Sequence, residues 1–63
     1  MGMKGIARCR KKAKMTQSEL AILLGVTLMT ISNYERGVRE PSIENLKRMS
    51  EIFGVPIEEL IAD

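Results

Sequence analysis

Apolar residues recur along the chain at intervals of three and four, the spacing that gathers side chains on one face of a helix, and no segment shows the period of two of a strand. Ile6, Cys9 and Ala13 mark a first helix from Met3 to Lys14, its remaining sides polar or basic. Thr16 offers an N-cap, and Glu19 three residues later completes a capping box, so a second helix is predicted from Gln17 to Leu24, ending at Gly25. Thr27 caps a third, from Leu28 to Arg36, which Gly37 ends in the same way. Ser42, after Pro41, opens a fourth with Ile43, Leu46, Met49, Ile52 and Phe53 as its apolar stripe and Gly54 as its stop. A short fifth begins at Pro56, with Ile57, Leu60 and Ile61 as its apolar face. The prediction is an all-α, compact five-helix domain spanning residues 1–63.

Composition narrows the function. The longest apolar run, Leu20 to Leu24, is far short of the roughly 20 residues that cross a bilayer. No apolar stretch follows the basic start as a signal peptide requires, so no membrane association and a cytoplasmic location are expected. With one cysteine and no histidine, no metal, cofactor or internal disulfide is expected. The commonest general base is also missing and Cys9 lacks an activating partner, which argues against an enzyme and for Cys9 as a small core residue. No small-molecule effector domain is expected within 63 residues.

A net charge of +2 conceals a strong asymmetry. Lys4, Arg8, Arg10, Lys11, Lys12 and Lys14 face no acid within residues 1–14, whereas residues 41–63 carry five acids against Lys47 and Arg48. Such a layout suits a module that meets a polyanion on one side, or simply a solvated helix face.

The tight turn around Gly25 between helices 2 and 3 is the arrangement that lets a second helix project its N-terminal half into a DNA major groove. Ala21 is small where the two helices approach, and Gly25 permits the turn. Val26, Ile31 and Tyr34 fall inward, leaving Thr27, Leu28, Met29, Ser32 and Asn33 outward. The run TQSELAILLGVTLMTISNYERG, Thr16 to Gly37, closely resembles the lambda-repressor-like helix-turn-helix family of phage repressors and Cro-type regulators, and the likeness continues through REPSIENLKRMSEIFGVPIEEL.

The resemblance implies a sequence-specific regulator of transcription, a repressor bound as a homodimer to a pseudo-palindromic double-stranded DNA operator. Gln17 would touch a phosphate, Thr27, Leu28, Met29, Ser32 and Asn33 would face base edges, and Arg36, Gly37 and Arg39 would meet phosphates again. Leu28 and Met29 can make only apolar contacts, as with thymine methyl groups, while the amide of Asn33 suits adenine; an A/T-rich half-site is therefore expected. Ile22 and Leu23, at positions usually polar in the family, are either surface residues or contacts to a partner chain. Arg10 and Glu35 are expected to form a buried or half-buried ion pair, and helix 5, with Ile57 and Ile61, together with the loop before helix 4 is expected to form a dimer seam. The alternative is a protein-interaction module of the same fold, an antitoxin or a coactivator-like adaptor.

Overall fold

The computed structural model describes residues 3–62, so the first two residues and the last of the predicted domain lie outside the described residues. Five helices follow in order: α1 Lys4–Lys12, α2 Gln17–Leu24, α3 Leu28–Arg36, α4 Ile43–Phe53 and α5 Ile57–Ile61. There is no strand among the described residues. The helices fill a volume of 24 × 23 × 21 Å. α1 packs on α5 and α3, α2 on α3 and α4, and α4 on α5.

Local chemistry accounts for the boundaries. The Thr16 hydroxyl accepts from the Glu19 N–H at 3.0 Å, and the Glu19 carboxylate accepts from the Thr16 N–H at 2.8 Å, so both halves of the capping box are closed. Thr27 and Ser42 cap α3 and α4 through the N–H groups of Thr30 and Asn45. α2 ends where Gly25 takes φ 72°, which lets the Val26 N–H turn back to the Ala21 carbonyl at 3.0 Å. Pro56, predicted as the first residue of helix 5, is instead its N-cap: its extended ψ of 155° delays the helix to Ile57.

α1 stops at Lys12, two residues before the predicted end. Lys14 adopts φ 59°, and the N–H of Met15 folds back to the Arg10 carbonyl at 3.1 Å. This is the closure that glycine makes at the ends of α2, α3 and α4, here carried by a side-chain-bearing residue. The earlier stop leaves Ala13 exposed, against its predicted place on the inward face.

The core gathers one or more residues from every helix: Ile6 and Cys9, Leu20, Ala21 and Leu24, Ile31 and Tyr34, Leu46 and Met49, and Leu60. Val26, Ile52, Phe53, Val55 and Ile57 cover its edges. Two members of the predicted apolar stripes stay outside. Ile43, in the first turn of α4, is 70% exposed, and Ile61, in the last turn of α5 beside fully buried Leu60, is also exposed. No helix among the described residues is long and apolar enough to cross a membrane.

Candidate nucleic-acid interface

Three residues, Gly25, Val26 and Thr27, separate α2 from α3. Buried Ala21, half-buried Val26 and the left-handed Gly25 occupy the positions expected of them. α3 buries Ile31 and Tyr34, and the Tyr34 hydroxyl accepts from the Asn45 side chain at 3.3 Å. Rotation about the helix fixes the rest. Leu28 and Met29 stand 50% and 64% exposed, Thr27 is exposed, and Ser32 and Asn33 are half-buried. The Thr27 hydroxyl is occupied twice, by the Thr30 N–H and by the Thr30 hydroxyl at 2.9 Å, so it holds the helix start.

The far end of α3 is anchored beneath by charge. Arg10 meets Glu35 as a two-pronged pair, Nε to Oε2 at 2.6 Å and Nη2 to Oε1 at 3.1 Å, with side chains only 11% and 8% exposed. The Arg10 Nη1 donates to the Met15 carbonyl at 2.8 Å, and Gln17 Nε2 donates to Glu35 Oε1 at 2.9 Å. The expected ion pair is thus present, and it ties α1, the α1–α2 turn, α2 and α3 together at one point. The hydrogen bond to Glu35 holds the Arg10 pKa above its ordinary value against the opposing effect of burial. Gln17, expected at a phosphate, spends one of its two amide N–H donors on this network and keeps the other.

Past α3, the N–H groups of Val38 and Arg39 both donate to the Asn33 carbonyl, at 2.9 and 3.2 Å, while Gly37 takes φ 76°. The Arg36, Gly37 and Arg39 positions are exposed at this corner. Arg36 Nη2 donates to Asn33 Oδ1 at 2.7 Å, a contact between two predicted site residues. Ile22 and Leu23 lie on the solvent side of α2, Ile22 78% exposed.

Two further positions escaped the sequence reading. Arg48 of α4 reaches across to the open end of α2, donating to the carbonyls of Leu24 and Leu23 at 3.2 and 3.1 Å, where a cation also complements the helix dipole. Its partners lie 24 and 25 residues away, with no local signal. Gly5 is buried within the first turn of α1 against the backbone of α5, and a glycine inside a helix with no capping role was the available clue. Geometrically, the assembly is a capped, rigidly backed helix whose N-terminal half stands in solvent, with the cations Arg36 and Arg39 exposed at its far corner.

The sequence pattern of the helix-turn-helix family matches residues 6–60. Among curated proteins the chain is 36% identical over 61 residues to the uncharacterized HTH-type transcriptional regulator YqaE of Bacillus subtilis (strain 168), covering 97% of this chain and 53% of that protein. It is 35% identical over 54 residues to the cryptic phage CTXphi transcriptional repressor RstR of Vibrio cholerae, covering 86% and 49%. It is also 37% identical over 57 residues to the HTH-type transcriptional activator BcrR of Enterococcus faecalis, covering 90% and 28%. The chain spans about half the length of the first two of these relatives.

Proposed function

The chain belongs to the helix-turn-helix family, and from that premise we propose that it is a sequence-specific double-stranded DNA-binding regulator of transcription, with α3 as the helix that enters the major groove. The observation that carries this reading is the posture of α3: its far end is pinned by Arg10 and Glu35, while Thr27, Leu28 and Met29 at its start stand in solvent. Ser32 and Asn33 continue the base-reading row. Gln17, Arg36 and Arg39 bracket it as phosphate contacts, since side-chain donors and cations position a protein on the duplex, and Gly37, its N–H spent on the Tyr34 carbonyl at 3.2 Å, lets the backbone come close at that corner.

A repressor is the favoured sign of regulation, supported by the similarity to a phage repressor. A homodimer on a pseudo-palindromic operator supplies the contacts that one small module lacks. Its seam is α5 with the loop before α4, where Ile61 and Val38 are exposed and Ile43 stands beside that loop, while Ile57, the other expected seam residue, is half-buried against the core. A site of action in the cytoplasm follows from binding bacterial-type operators.

Selection from a random pool of duplex DNA tests the reading. The expected result is an enriched sequence with two inverted half-sites whose centres lie about 34 Å apart. Affinity for it should fall steeply as salt rises, as phosphate neutralisation requires. Failure to enrich any duplex at low salt would overturn the proposal.

A further inference from the structure

We infer that Asn33 and Arg36 form a donor-rich, positively charged reader that selects guanine at the base pair it faces. This rests on the reading of α3 as the base-contacting helix and names what one of its positions recognises. An asparagine amide recognises adenine by presenting oxygen and N–H₂ side by side, the oxygen accepting from the base N6 and the nitrogen donating to N7. Here the oxygen has a prior partner. Arg36 Nη2 donates to Asn33 Oδ1 at 2.7 Å, and because a guanidinium can only donate, the contact also fixes which way the amide faces.

What remains for a ligand is the Nδ2 group, two unspent donors, beside an oxygen whose second lone pair lies next to a full positive charge. An adenine N6 amino group brought to this pair would set its own partly positive hydrogens against the guanidinium. Guanine carries acceptors at both O6 and N7, so every polar atom of its major-groove edge faces a donor. The backbone holds the pair in place. The Asn33 carbonyl accepts from the N–H groups of Val38 and Arg39, and Gly37 closes the helix end between them. Asn33 is half-buried against this corner, which limits its rotation, and Arg36 lies three residues on, the spacing at which helix side chains meet.

Binding-site selection with the wild-type chain, Asn33→Ala and Arg36→Met tests the assignment. The operator position whose preference vanishes in Asn33→Ala is the one Asn33 reads; Asn33→Ser serves the same purpose should the alanine variant lose its helical circular dichroism. At that position the wild type should prefer guanine over adenine by about tenfold, the size of one well-made base contact. Arg36→Met keeps the side-chain stem but removes the donors, freeing the amide oxygen, and should turn the preference to adenine even as overall affinity drops. Adenine in the wild type, the same base in wild type and Arg36→Met, or no position sensitive to Asn33 would each overturn the inference while leaving DNA binding intact. A wild-type chain that enriches no duplex overturns the functional reading itself.

Discussion

α1 is joined to its two neighbours by opposite means. Against α5 the contact is made by leaving a side chain out: a Cβ on Gly5 would sit 1.8 Å from the Glu59 carbonyl oxygen and 2.8 Å from that of Leu60, and the Gly5 N–H donates to the Ala62 carbonyl at 2.9 Å. Against α3 the contact is made by two long side chains, with Arg10 gripping Glu35 through two hydrogen bonds and reaching Met15 with a third. The first joint is backbone against backbone and has no slack. The second is chemistry at the end of flexible stems, and it can be exchanged for other chemistry of the same volume. One joint closes the core and the other sets the posture of α3, so disturbing each should have a different signature.

The largest effect is expected at the first. Gly5→Ala in an ordinary helix interior would stabilise by about 0.5–1 kcal/mol, because glycine has the most backbone freedom to lose. Here the methyl group meets carbonyl oxygens that can move only if α5 shifts, and overpacking of this kind costs about 3 kcal/mol or more. That is between a third and all of what a chain of this length has, about 3–9 kcal/mol. Urea denaturation should show Gly5→Ala with a sharply lowered midpoint at 25 °C. A rise in the unfolding midpoint would mean that the two backbones are not in contact and would dissolve the comparison.

Next comes the charged joint. Arg10→Met leaves the Glu35 carboxylate nearly buried with only Gln17 as donor, and breaking such a pair costs about 3 kcal/mol, toward the low end for buried pairs because neither side chain is fully enclosed. The double variant Arg10→Met with Glu35→Leu removes both charges and should recover much of that loss. A double-mutant cycle reads the coupling directly. If the double variant is as unstable as the two single variants summed, the joint is a pair of independent contacts rather than one exchangeable unit.

These two joints also mark how far the sequence is legible. Helix ends were readable because their causes lie within a few residues: Thr16 with Glu19, Thr27, Ser42, and the glycines at 25, 37 and 54. The Arg10–Glu35 pair was reached by combining inward positions with a family resemblance. Gly5 and Arg48 were missed because each acts on backbone far along the chain, where composition and periodicity carry no trace of the partner. Ile43 was misplaced for a related reason, since helical spacing says which residues share a face but not where the neighbouring helix stops. The outward row of α3 followed from its period, yet the bond between Arg36 and Asn33 that alters its chemistry did not.

A smaller change should strengthen the charged joint from its edge. Lys14 holds φ 59° in the turn whose next residue supplies the carbonyl that Arg10 grips. A side chain in left-handed backbone costs about 1–2 kcal/mol, part of which glycine returns through its greater freedom when unfolded. Lys14→Gly should therefore stabilise by about 0.5–1 kcal/mol, raising the melting temperature by about 2–8 °C for a domain of this size. Thermal unfolding followed by circular dichroism checks it. An unchanged or lower melting temperature would mean that the Lys14 side chain makes a compensating contact.

The smallest effect expected separates the joints by pH. Cys9 belongs to the α5 side, its Sγ 4.0 Å from Glu59 Oε2, and burial, then the Glu59 charge, push its thiol pKa up, while Arg8 and Lys12 partly offset them. A folded pKa above the unfolded one means that the native state holds its proton longer. The contribution is then fully present below the ordinary thiol value of about 8.5 and is lost as pH rises through the folded value. Arg10, by contrast, stays charged throughout that range, so alkaline conditions should loosen the α5 joint and spare the α3 joint. Urea midpoints at neutral pH and just above the ordinary thiol range, compared between wild type and Cys9→Ala, isolate the thiol, because every other titrating group is common to both. The wild type should lose more stability on the alkaline step than Cys9→Ala, whose lower baseline reflects the missing sulfur. Equal losses in the two proteins would show that the thiol titrates alike in the folded and unfolded chains.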